Sequence, residues 1–144
     1  MDKRIFYQDY ALIWLDIVHI MSSEKLDKFK KEKYLCLETY KKNGHGVKTP
    51  VWFVISNRRI YVATDASSGK VKRLKNNKVV KIAPSDFKGR PKSEWIEGMA
   101  FFGNESELNQ TMLLRTKKYG MLSNIIGLFL SKKVKKMVSI GIEI

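Results

Sequence analysis

Residues 34–73 read YLCLETYKKNGHGVKTPVWFVISNRRIYVATDASSGKVKR. Residues 34–42 alternate, with Leu35, Leu37 and Thr39 on one face and Tyr34, Cys36, Glu38 and Tyr40 on the other, the pattern of a half-buried strand. Asn43-Gly44 is a strong hairpin signal because both residues tolerate positive φ. Residues 47–55 form a nearly continuous apolar strand, a second tight turn falls at Ser56-Asn57, and residues 60–64 make a third strand. A loop rich in hydroxyls and glycine then opens a basic helix. A meander ending in such a loop suggests a phosphate-bearing ligand held against a sheet.

The pattern continues outward. Leu26 and Phe29 predict a short amphipathic helix over 25–33, and Val71 and Leu74 anchor a basic helix that stops at Asn76-Asn77. Strands are expected at 79–83 and 95–102, with a turn at 89–91 between them. Glu105-Ser106 is read as the cap of a helix running to Tyr119, with Arg115, Lys117 and Lys118 in its last turns and Gly120 as its stop. A second apolar helix is expected over 122–130, and Val138, Ile140, Ile142 and Ile144 alternate as a closing strand. Strands dominate, so the expected fold is mainly β: a small six-stranded barrel with short peripheral helices.

The first twenty residues stand apart. Residues 5–20 are largely apolar but interrupted by Asp9, Asp16 and His19, and the longest unbroken stretch is too short for a membrane span or a signal core. Residues 1–22 are read as an added helix, packed on the domain or on a partner subunit, ahead of a barrel domain over 23–144.

Composition bounds the function. A chain of 144 residues with 44% hydrophobic content fits one folded domain. Cys36 is the single cysteine, which fits a reducing cytoplasm, and no Cys/His cluster exists for zinc. The net charge of +14 is spread over the whole chain as dispersed lysine. That is the pattern of a solvated surface, though a polyanionic ligand would use part of it. No aromatic-basic platform repeats along one strand face, which argues against a nucleic-acid barrel.

Two features carry chemistry. Pro50 interrupts the most apolar strand, where it cannot donate to a ladder. It therefore belongs at an edge, as a guard against further strand pairing, or where a planar ring lies against the backbone. The loop 64–70, TDASSGK, sets hydroxyls, a glycine, helix N-terminal amides and Lys70 where a phosphate could sit; it reads equally as a plain serine cap. It is no Walker motif. Cys36 reads as a small buried hydrophobe and His45 as a solvated turn residue. No catalytic triad is visible, as suits an enzyme whose cofactor supplies the chemistry.

The runs KTPVWFV, RIYVAT, SSGKVKRL and NNKVV, with the late KYG at 118–120, together resemble the pyridoxamine 5′-phosphate oxidase-like split β-barrel family. More narrowly, they are similar to its branch that uses the deazaflavin coenzyme F420. The resemblance covers about residues 26–144. It implies a homodimer with two cofactor sites at the subunit interface, and an oxidoreductase passing hydride from the reduced deazaflavin to a small organic substrate. Lys48, Thr49, Pro50, Val51 and Trp52 would line the ring, largely through backbone. Thr64, Ser68, Gly69, Lys70 and Arg73 would hold the phosphate, Lys70 foremost, and Trp95 would complete the site from the partner. The alternatives within the fold are an FMN-dependent enzyme and a non-enzymatic protein that carries flavin or haem.

Overall fold

The computed structural model describes residues 3–120 and 136–144, with the side chains of the first helix described from residue 9 onward. Seven strands form one antiparallel sheet: β1 (Tyr34–Tyr40), β2 (Gly46–Val51), β3 (Val54–Ser56), β4 (Arg59–Asp65), β5 (Val79–Ser85), β6 (Ile96–Phe102) and β7 (Met137–Glu143). Three helices accompany them among the described residues: α1 (Lys3–Asp27), α2 (Gly69–Asn76) and α3 (Glu105–Tyr119). The helix expected over 122–130 lies outside the described residues.

Across the sheet the order is β2-β1-β5-β6-β7-β4-β3. The strands β2 and β3 follow one another in the chain yet stand at opposite edges, separated by Trp52 and Phe53 alone. Three Cα steps span at most about 11 Å, so the two edges must approach each other and the sheet must curl. The single strand expected over 47–55 is therefore two: its first half pairs with β1, its second with β4. That division raises the strand count from the expected six to seven. It has a local cause. The Phe53 N–H donates to the Tyr119 hydroxyl at 3.1 Å, and the Phe53 carbonyl accepts from Lys118 Nζ at 3.0 Å, so α3 takes the backbone groups a neighbouring strand would use.

The core fills the curl. Leu35 and Leu37 of β1, Ile60 and Val62 of β4, Val80 and Ile82 of β5, and Ile140 and Ile142 of β7 are buried together, with Val71 and Leu74 of α2 packed among them. The alternation read in β1 holds for its inward residues, and Cys36 is buried as well.

Local chemistry shifts some boundaries. Asn43-Gly44 does not form a two-residue turn. The Lys41 N–H bonds the His45 carbonyl at 2.9 Å, and the loop inside carries Gly44 at φ 85°. The two-residue turn is Asn57-Arg58, both at positive φ. The cap of α3 is Asn104, one residue before the expected position. Its side chain accepts from the Glu107 N–H at 2.8 Å while the Glu107 carboxylate accepts from the Asn104 N–H at 3.2 Å.

The separate helix expected over 25–33 is absent. Instead α1 continues across Ser22-Ser23 to Asp27, after which the chain turns and both Leu26 and Phe29 enter the core. The Ser22 hydroxyl donates to the Ile144 carbonyl at 3.3 Å and tethers the foot of this helix to the end of β7. Among the described residues no helix is long and apolar enough to cross a membrane.

Candidate functional site

Where the curled sheet fails to close, between β2 and β4, a cleft of about 380 Å³ opens. Pro50 and Val51 of β2 and Trp52 of the crossing link form one wall, and Val62, Ala63 and Thr64 of β4 form the other. Tyr34 of β1, Lys70 of α2 and Arg115 of α3 complete it. Pro50 fits its edge-strand reading, since β2 is an edge strand of the sheet, and it also lines the cleft.

The aromatic wall is fixed from behind. The Trp52 ring stacks on Tyr119 at 4.5 Å between centroids and 8° between planes, and the Arg115 guanidinium lies 5.0 Å from the Trp52 centroid. The Tyr119 hydroxyl donates to the Lys33 carbonyl at 2.7 Å and accepts from Phe53, which holds its ring in place.

Among the described residues, Lys70 and Arg115 are the charged ones on the cleft walls, and no carboxylate lines the cleft with them. Burial pushes the Lys70 ammonium below the usual lysine range, and neighbouring Arg73 adds to the effect. Burial likewise draws Arg115 down, partly offset by Tyr119. The buried Nε of Arg115 has no hydrogen-bond partner among the described residues. Two half-buried cations facing a cleft without counter-charge are suited to an anionic ligand.

Of the residues singled out in the sequence, Pro50, Val51, Trp52, Thr64 and Lys70 come together here. The others are engaged elsewhere. Lys48 lies 3.8 Å from the Glu38 carboxylate and 5.2 Å from the centre of the Trp95 ring, and it is not among the described residues that line the cleft. Thr49 stands opposite Leu37 in the β1–β2 ladder. The Ser68 hydroxyl caps α2 by accepting from the Val71 N–H at 3.4 Å, which is the serine-cap reading of the loop. Gly69 is exposed beside the Arg73 guanidinium, and Arg73 Nε donates to the buried Thr39 hydroxyl at 2.7 Å, pinning α2 to β1.

Tyr34, Val62, Ala63 and Arg115 were not singled out. Arg115 and Tyr119 carried a usable signal: they lie four apart on one helix face, so whatever meets one meets the other.

No protein-family model matches the chain, and no curated protein matches it. Solved structures do. HutZ, the heme storage protein of Vibrio cholerae, is 16% identical with a TM-score of 0.62, over 84% of this chain and 87% of that one. A candidate pyridoxamine 5′-phosphate oxidase from Listeria innocua is 14% identical, with a TM-score of 0.57 over 85% and 91%. An FAD-binding protein from Mesorhizobium loti is 12% identical, with a TM-score of 0.57 over 85% and 87%. The fold is the split barrel. At these identities the likeness concerns the fold alone.

Proposed function

We propose that this cleft holds a flavin-type cofactor and that the protein is an oxidoreductase acting on a small organic substrate. One observation carries the reading: among the described residues, a cleft walled by the Pro50–Trp52 edge holds two cations, Lys70 and Arg115, and no acid. A planar ring with a phosphorylated tail matches those walls in shape and charge. The fold is shared with a protein described as FAD-binding, which supports the same class of ligand. When bound, such a cofactor supplies the hydride chemistry. The chain's own part is to seat the ring against Pro50, Val51 and Trp52, to exclude water with Val62 and Ala63, and to hold the anionic tail at Thr64 and Lys70. The motif resemblance makes a deazaflavin the finer choice, with FMN as the alternative.

Haem is the second reading, since HutZ shares the fold. Here the donor set does not favour it. His19 and His45 are the chain's two histidines, both exposed, and neither lines the cleft.

Parallel titration of the purified protein with FMN, the deazaflavin and hemin tests the class of ligand. Lys70→Ala is expected to weaken FMN binding by about 10- to 100-fold, the loss of one charge-assisted hydrogen bond of about 1.5–3 kcal/mol. Lys72→Ala, exposed on the same helix, is the control. Lys78 is unsuited to that task because its ammonium caps the Leu74 carbonyl at 2.7 Å. Equal affinity for wild type and Lys70→Ala would place the tail elsewhere.

A further inference from the structure

We propose that the outward face of β2-β1-β5-β6 is a self-complementary surface on which a second copy of the chain docks, related to the first by a two-fold axis parallel to the strands.

The strand ladders set four charged residues in one row. Lys48 of β2 stands opposite Glu38 of β1, Glu38 opposite Lys81 of β5, and Lys81 opposite Glu97 of β6. Directly opposed residues of antiparallel strands share a face, so the row lies on a single surface. Leu37, Ile82 and Ile96, each next in sequence to a member of the row, belong to the core, which makes the surface with the row the outer one. From β2 to β6 the signs alternate. Lys48, Lys81 and Glu97 are exposed and Glu38 is half-buried. Lys48 lies 3.8 Å from the Glu38 carboxylate, and a pair at such an exposed position exchanges partners at little cost.

Symmetry then selects an orientation. A two-fold parallel to the strands reverses the row on the facing copy, so Lys48 meets the partner's Glu97 and Glu38 meets the partner's Lys81, each contact occurring twice. The two-fold perpendicular to the strands would set every charge against itself. The row therefore admits the first arrangement and rejects the second. Facing sheets stand about 10 Å apart, which a lysine and a glutamate meeting end to end can bridge. In the next row Val79 stands opposite Met99, and Tyr40 opposite Gly46. The same rotation sets Tyr40 against the partner's Val79 and the exposed Met99 against the partner's Gly46, which gives an exposed methionine a cover. A chain of net charge +14 repels its own copy, so a contact between copies needs a face balanced within itself. The row, with two cations and two anions, is such a face.

The full chain is expected to sediment as a dimer at micromolar concentration. Lys48→Glu and Glu97→Lys each set like charges against each other, and each is expected to weaken dimerisation at least about tenfold. An equimolar mixture of the two variants is expected to form a heterodimer of wild-type affinity, because the reversed charges then face each other. Lys72→Glu, exposed on α2, changes the net charge as Lys48→Glu does and is expected to leave the dimer unchanged, which separates a local contact from bulk repulsion. Circular dichroism checks that the variants are folded; if either is not, a measurement on wild type decides. Carbodiimide coupling of mixed isotopically labelled and unlabelled chains is expected to join Lys48 of one chain to Glu97 of another. A monomeric wild type, a dimer that neither reversal weakens, a mixture no tighter than its parents, or no such link between chains overturns the proposal.

Discussion

Phe53 has its backbone held by two side chains of α3. Tyr119 meets its N–H and Lys118 meets its carbonyl, while the Lys118 ammonium sits 3.5 Å from the centre of the Phe53 ring. The Lys118 stem is exposed, but its charged end is tucked in, and burial draws its pKa down to about 8 against a smaller opposing pull from Glu32. A lysine whose folded pKa lies below its free value near about 10.4 opposes folding when protonated, so stability from this group rises as pH passes from about 8 to about 10. Carbon-13 spectra of reductively methylated protein should show one lysine titrating near 8; a Lys118 midpoint above 10 would mean that the ammonium is solvated. The same residue scale shows why the site was half legible in the sequence. Pro50, Val51 and Trp52 are contiguous, and Thr64 and Lys70 flank one loop, so motifs name them. Arg115 arrives from a helix more than forty residues later in the chain than Lys70. Arg73 sits within the loop motif yet answers a need elsewhere, since the Thr39 hydroxyl is fully buried and requires a partner.

Elements were more legible than their junctions. Strand alternation and helix caps are local properties, and every strand expected from the sequence has a counterpart in the sheet. The break at Trp52-Phe53 was not readable, because an unbroken apolar run says nothing of which neighbour each half will find. Close strand packing leaves another mark on single positions. Gly98 of β6 is buried, and a Cβ there would sit 2.8 Å from the Glu143 carbonyl of β7. Backbone cannot yield as a side-chain tip can. Gly98→Ala is expected to destabilise the protein by about 1–3 kcal/mol in denaturant unfolding. Wild-type stability would mean that β7 shifts freely at that end. Asn104→Ala is expected to cost about 1 kcal/mol through the lost cap of α3, while Asn104→Asp should stay close to wild type.

Among the described residues, α1 turns a largely apolar surface outward. Tyr10, Leu12, Ile13, Trp14, Leu15 and Ile20 of α1 are all more than half exposed. A helix apolar on so many sides needs a cover. Between residues 9 and 21 its formal charges are Asp9 and Asp16, in a chain whose net charge is +14. A basic second copy is a complementary cover, so light scattering at micromolar concentration is expected to give a dimer. A chain beginning at Met21 keeps Leu26 and Phe29 and is expected to fold and bind flavin as the full chain does. An insoluble product would show that α1 is integral to the assembly.

The position of β7 sets an order of events in synthesis. It lies between β6 and β4, and it alone joins the four strands on one side of the sheet to the two on the other through hydrogen bonds. A nascent chain that has not reached Met137 holds two part-sheets that no strand ladder joins. The wall that carries Pro50 and the wall that carries Thr64 can then drift relative to each other. If the cleft holds a ligand as proposed, a chain truncated before Met137 is expected not to bind it, however early the residues of the cleft were made.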